Sequence, residues 1–292
     1  MAAPVARGVD RITAKRRLGP DAQVDDKALI IVPTDPASTD PFLLLAEDRF
    51  SSPGFEWHPH RGIETVTTVL GGVLEHGDNL GNAGALEPGD VQWMTAGRGI
   101  IHRELAYRDE HAHTLQLWLN LPAGRKMAET RYRDVLAAAR PRFTRPGAVV
   151  DVVSGTVEGV TGLALDHHPV QGVLVTLDPG ARYGLPVPAA HRLFAYVVEG
   201  DAEIAGSPVA EGRTAWSDPV PDAPGTVLDL AAADRDREVQ IMVYSGAPLR
   251  EPVVMGGPFV MNEPAEITQA FQDFHAGLFG PVPRQARLAY DR

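Results

Sequence analysis

Short β-type runs, each cut off by glycine or proline, are what most constrain this chain. Ala28-Leu-Ile-Ile-Val32, Phe42-Leu-Leu-Leu45, Thr65-Val-Thr-Thr-Val-Leu70, Val91-Gln-Trp-Met94 and Thr114-Leu-Gln-Leu-Trp-Leu119 form a first set. Ala148-Val-Val-Asp-Val-Val153, Val173-Leu-Val-Thr-Leu177, Leu193-Phe-Ala-Tyr-Val-Val198 and Val239-Gln-Ile-Met-Val-Tyr244 form a second. With 29 glycines and 25 prolines supplying turns, such a chain reads as all-β, a sandwich or barrel. The Pro-, Arg- and Ala-rich stretch from Leu121 to Pro146 reads as connecting structure. Two sets in 292 residues predict two domains, 1–135 and 136–292. Thr67–Glu75 and Ala195–Glu203 each hold a β-run, a glycine turn and a return strand, with Gly72 and Gly200 128 residues apart. That offset suits a duplicated domain.

One helix is expected near the C-terminus. Asn262 is placed to cap it, Pro264 lies near its first position, and Glu263 and Glu266 suit its positive end. Ile267, Ala270, Phe271 and Phe274 recur at helical spacing until Gly277, a stripe expected to pack on a barrel.

Composition removes whole classes of function. Cysteine is absent, which excludes disulfides, thiolate metal sites and a cysteine nucleophile. A bound metal would be held by nitrogen and oxygen. The formal charge of −11 disfavours direct nucleic-acid binding, and Lys15, Arg16 and Arg17 read as a solvated turn. The N-terminus lacks a signal-peptide layout, and no apolar run reaches the roughly 18 residues of a membrane span. The expectation is a cytoplasmic protein.

Strand side chains alternate faces, so His58 and His60 share one if their backbone is extended. Pro59 between them cannot donate to a sheet ladder, which predicts an edge or rim. His102 and Glu104 form a second i, i+2 pair. On neighbouring strands facing one interior, the two pairs would converge as three imidazoles and a carboxylate. Glu64, four residues beyond His60, competes for the carboxylate role if no bulge intervenes.

His58-x-His60-x3-Glu64-x6-Gly71 resembles the first signature of the cupin superfamily. The second signature is met by Gly89-x5-Thr95-x-Gly97, with Thr for Pro and the histidine two residues late at His102. That departure resembles the pirin family, as do Asp40-Pro-Phe-Leu-Leu-Leu45, Leu115-Gln-Leu-Trp-Leu-Asn-Leu-Pro122, Glu251-Pro-Val253 and Gly257-Pro-Phe-Val-Met-Asn262. The resemblance runs from about Asp40 to Gly280. It implies a bicupin, with two jelly-roll-like β-barrels face to face, a short C-terminal helix and metal in the first barrel only. By motif position the ligands fall on His58, His60, His102 and Glu104, with Glu64 a nearby pocket carboxylate.

Other histidines are assigned elsewhere. His111 and His113 repeat the i, i+2 spacing in a charged loop without a carboxylate at strand spacing, and read as surface or outer-sphere groups. His167 and His168 read as a solvated turn, His76 as exposed, and His191 as structural.

Three neutral imidazoles and one carboxylate leave a divalent ion at net +1, and an octahedral ion would keep two positions open. Zinc would close the same four residues into a structural tetrahedron. The resemblance favours Fe(2+), with Zn, Ni, Mn, Co or Cu as other divalent ions. It implies a quercetin 2,3-dioxygenase, in which a flavonol loses its 3-hydroxyl proton to Glu64 or Glu104, reacts with O2, and releases carbon monoxide and a depside. Phe55, Trp57 and Trp93 would line the pocket. The alternative it implies is a metal- and redox-dependent regulator that binds a transcription factor or metabolic enzyme. A monomer is expected.

Overall fold

The computed structural model describes residues 3–51, 54–107 and 111–282. Every β-run named above falls in a strand, the first ending at Ile31 rather than Val32, and the chain divides into two compact units. Among the described residues, the first unit comprises those from Arg16 to Ala138 and from Leu249 to Val282, and the second those from Ala3 to Lys15 and from Ala139 to Pro248. A single cut after residue 135 therefore does not describe the packing. Arg11–Ala14 joins the sheet edge at Arg213–Ser217, while Val254–Gly256, Phe259–Met261 and the helix Pro264–His275 belong to the first unit.

In the first unit a seven-stranded sheet runs Arg131–Val135, Val91–Thr95, Ile63–Gly72, Ala112–Asn120, Phe42–Phe50, Asp26–Ile31, Arg16–Arg17. A four-stranded sheet runs Phe55–His60, Ile100–Ala106, Leu74–Asp78, Ala83–Leu86. Phe50 and Val69 from the larger sheet meet Leu74, Leu86 and Ala106 from the smaller in one buried cluster. Phe55–His60 is an edge strand, where Pro59 is tolerated. Arg131–Val135 and Arg142–Arg145 fall in the stretch expected to be connecting structure. Their charged compositions suit edge strands, and each closes one end of a seven-stranded sheet.

The second unit repeats the plan. Its seven-stranded sheet holds Arg213–Ser217, Arg192–Glu199, Val239–Gly246 and Val170–Leu177 as neighbours, as the first holds Val91–Thr95, Ile63–Gly72, Ala112–Asn120 and Phe42–Phe50. Arg182–Val187 pairs Thr226–Ala232 as Phe55–His60 pairs Ile100–Ala106. Gly72 and Gly200 both adopt positive φ, +70° and +78°, at matching hairpins.

The helix begins one residue later than Asn262 would set. Glu263 is its cap, in a reciprocal box with Glu266, whose Oε2 accepts from the Asn262 and Glu263 amides at 2.9 Å each. Asn262 instead donates its side-chain amide to Pro252 O. Ala270 and Phe279 are buried with Ile101 and Phe259, so the apolar stripe packs on the barrel as expected. Among the described residues no helix is long and apolar enough to cross a membrane.

Candidate metal centre

His102 lies directly opposite His58 across the antiparallel pair, and Ile100 opposite His60. Two residues further, Glu104 faces Phe55, so the Phe55–His60 strand bulges there and aims Phe55 to the same side as His58. The three imidazole rings lie with centroids 4.3 Å (His58–His102), 5.0 Å (His58–His60) and 5.0 Å (His60–His102) apart. One ligand atom from each falls within 4.8 Å of the other two. His60 and His102 are buried, and His58 is half-buried.

Backbone carbonyls fix the tautomers of two of the rings. His58 Nδ1 lies 2.7 Å from Glu56 O and His60 Nδ1 3.2 Å from Pro258 O, so each Nδ1–H donates to a carbonyl and each Nε2 keeps its lone pair. His60 Nε2 and both nitrogens of His102 are buried without a hydrogen-bond partner. Burial first, then the neighbouring imidazoles, push the rings toward the neutral form: His60 down to about 3, His102 well below its ordinary value, and His58 down through burial. Neutral rings with free lone pairs suit a divalent metal and are costly without one.

Glu104 sits in the same interior with a different set of neighbours. Its Oε1 accepts from Thr67 Oγ1 (3.0 Å) and its Oε2 from Gln116 Nε2 (2.5 Å), and Trp118 Nε1 donates to Gln116 Oε1 (3.2 Å). Trp118 also packs edge-on against His60 at 5.1 Å. Glu104 groups with His102 and His76, three ligand atoms within 4.8 Å of one another. His76 is directly opposite Glu104 on the next strand and is 1% exposed, which corrects the expectation of a surface residue. An i, i+2 pair, His76 and Asp78, was its signal in the sequence.

Glu64 does not join them. Between His60 and Glu64 the chain turns at Gly62 (φ +80°) and passes from the four-stranded to the seven-stranded sheet. Alternation along Ile63–Gly72 then puts Glu64 on the face opposite Thr67, where its Oε1 accepts from Thr95 Oγ1 at 2.6 Å. Trp93 follows that face as well, away from the imidazoles. Trp57 stacks under the Arg103 guanidinium at 5.1 Å, leaving Phe55 as the one of the three expected aromatics beside a site histidine, 6.3 Å from His58.

The turn after His60 is pinned from three sides. A Cβ on Gly62 would meet Val260 O at 1.9 Å. Lys126, 2% exposed, donates to Gly62 O (2.8 Å), Asn120 Oδ1 (2.6 Å) and Val260 O (3.0 Å). Burial pushes its amine down to about 7, while three oxygen acceptors match the three donors of an ammonium. Arg61 donates to Arg98 O and Asp273 Oδ2, each at 2.7 Å.

Three further histidines find local partners. His113 Nε2 lies 2.9 Å from Glu47 Oε1. His168 is buried rather than solvated, 2.8 Å from Ala247 O, and His191 Nδ1 lies 3.1 Å from Ser245 Oγ.

In the second barrel the same register carries hydrocarbon. Leu185 opposes Leu228 where His58 opposes His102, and Val187 stands for His60. Leu230 opposes Ile204 where Glu104 opposes His76. All five are buried in one apolar cluster.

Two family models match the chain, Pirin over residues 21–119 and the Pirin C-terminal cupin domain over residues 172–280. Pirin-1 of Arabidopsis thaliana is 39% identical over 91% of this chain and 93% of its own length. This chain belongs to the pirin family. Pirin of Homo sapiens is 40% identical over 80% of this chain and 81% of its own. A quercetin 2,3-dioxygenase from Acinetobacter baumannii superposes with a TM-score of 0.82 at 29% identity, covering 94% of this chain and 99% of that one. The fold is therefore that of a pirin bicupin, two cupin domains with a short C-terminal helix.

Proposed function

We propose that this pirin-family chain is a metal-dependent dioxygenase cleaving quercetin or a related flavonol with O2, with Fe(2+) held by His58, His60, His102 and Glu104. The observation that carries the reading is the cluster of three imidazoles, His58, His60 and His102, two of them with buried, unpartnered nitrogens and the last grouped with the Glu104 carboxylate. The activity named for the Acinetobacter baumannii relative supports the substrate class.

When bound, the ion supplies Lewis acidity and one-electron redox chemistry to the interior. The chain's residues do the rest. Glu56 O and Pro258 O orient His58 and His60. Thr67 and Gln116 hold Glu104, which in this reading takes the 3-hydroxyl proton of a flavonol. Glu64, on the other face, is not assigned that role in this reading. Phe55 and Trp118 flank the imidazoles as apolar walls for an aromatic substrate. The reading is of a cytoplasmic monomer, and the net charge of −11 supports a role without direct nucleic-acid contact.

Anaerobic reconstitution with iron(II), followed by oxygen uptake with quercetin in wild type and His60→Ala, tests the proposal. Uptake should track iron occupancy and vanish in the variant. No uptake at full occupancy would sink the dioxygenase reading and leave a metal-gated binding protein.

A further inference from the structure

His76 has no part in the ligand set above, yet it is built into the same interior. Its side chain is fully buried, and neither ring nitrogen has a hydrogen-bond partner. It packs against Tyr132 at 4.7 Å with the planes tilted by 31°, and its ring centroid lies 5.4 Å from that of His102. Imidazole nitrogens shut away from water need a partner. The neighbours able to share one are Asp78, whose Oδ2 lies 4.0 Å from Nε2, His102, whose two nitrogens are both unpartnered, and Glu104, directly across the strand pair.

We propose that His76, His102 and Glu104 form an inner seat for a divalent cation, sharing His102 and Glu104 with the outer seat built on His58 and His60. The three ligand atoms lie within 4.8 Å of one another, as do those of the outer trio. A carboxylate of the kind that commonly orients a metal-bound imidazole is at hand: Asp78 Oδ2, 4.0 Å from His76 Nε2. Asp78 is itself held by the Leu80 and Asn82 amides and by Asn82 Nδ2. Two imidazoles and one carboxylate, without sulfur, suit Co(II), Ni(II), Zn(II) or Fe(II) better than the oxygen-seeking Mg(II) or Ca(II).

The second barrel supplies an independent argument. Its residue in the position of His76 is Ile204, buried in the same apolar cluster as Leu185, Val187, Leu228 and Leu230. A histidine needed only to fill the barrel would have no reason to differ in step with the metal-site positions. Because the seats share His102 and Glu104, they hold one ion between them. His76 gives that ion a second resting place deeper in the barrel.

The test uses Co(II) and the full-length chain, read by equilibrium dialysis and by visible d–d absorption. The His58→Ala/His60→Ala double variant removes the outer seat. It should still bind one equivalent, at least tenfold more weakly than wild type and with an altered visible spectrum. Adding His76→Ala should abolish that binding. A double variant that binds no Co(II) overturns the inner seat while leaving the outer one intact. Binding that survives His76→Ala also overturns it, since the ion is then held elsewhere. Near-UV circular dichroism checks folding, and His58→Gln/His60→Gln replaces the alanine pair if that variant does not fold. The proposal rests on the metal-site reading above. If that reading alone fails, removing His58 and His60 will leave the wild-type Co(II) affinity and spectrum unchanged.

Discussion

His58 faces His102 across one antiparallel pair with ring centroids 4.3 Å apart, and Leu185 faces Leu228 across its counterpart in the second barrel. One strand pairing thus carries either a cluster of unpartnered nitrogens or ordinary core. The difference has measurable consequences.

Acid should destabilise the metal-free protein through these rings. The folded-state value of His60 is held down near 3 by burial, whereas an unfolded histidine titrates near 6.5. Between those values the unfolded chain binds the extra proton. This contribution is therefore present above about pH 6.5 and is lost as pH falls toward 3, at up to about 1.4 kcal/mol per pH unit for each such ring. Urea denaturation of metal-free protein at pH 7 and pH 5 should show a lower midpoint at pH 5, and His60→Phe should shrink the difference.

Removing the groups that hold Glu104 should weaken metal binding without touching a ligand. Thr67→Val and Gln116→Leu each delete one hydrogen bond to its carboxylate. Losing an outer-sphere partner typically lowers metal affinity about 10–100-fold. Competition with a chromophoric chelator reads this directly, and unchanged affinity in both variants would mean Glu104 is not a ligand.

Lys126→Met keeps the volume but strips the donors from Gly62 O, Asn120 Oδ1 and Val260 O. Three buried acceptors left unpaired should cost roughly 3 kcal/mol. Equilibrium unfolding in urea measures it.

Gly62→Ala should be comparably damaging, about 2 kcal/mol or more, because φ is +80° and the new Cβ would run into Val260 O. The same variant should weaken metal binding, since the turn it disturbs follows His60 directly.

The alternation of side chains made His58, His60, His102 and Glu104 legible in the sequence as two like-facing pairs, and Pro59 marked the edge strand that carries the first. Glu64 was misjudged because same-face counting assumes one continuous strand, and Gly62 breaks it into two sheets. Thr67 and Gln116, and the placing of His76 opposite Glu104, depend on which strands are neighbours and in what register, which spacing along the chain does not encode. The exchanged terminal segments escaped for the same reason: Arg11–Ala14 pairs with residues some 200 positions away.

Anomalous diffraction from crystals loaded with Co(II) tests the central claim most directly. The account predicts one strong peak per chain inside the first barrel, within bonding distance of His102 and Glu104, and none between Leu185 and Leu228. A peak remote from His102, or no peak at saturating Co(II), would contradict it.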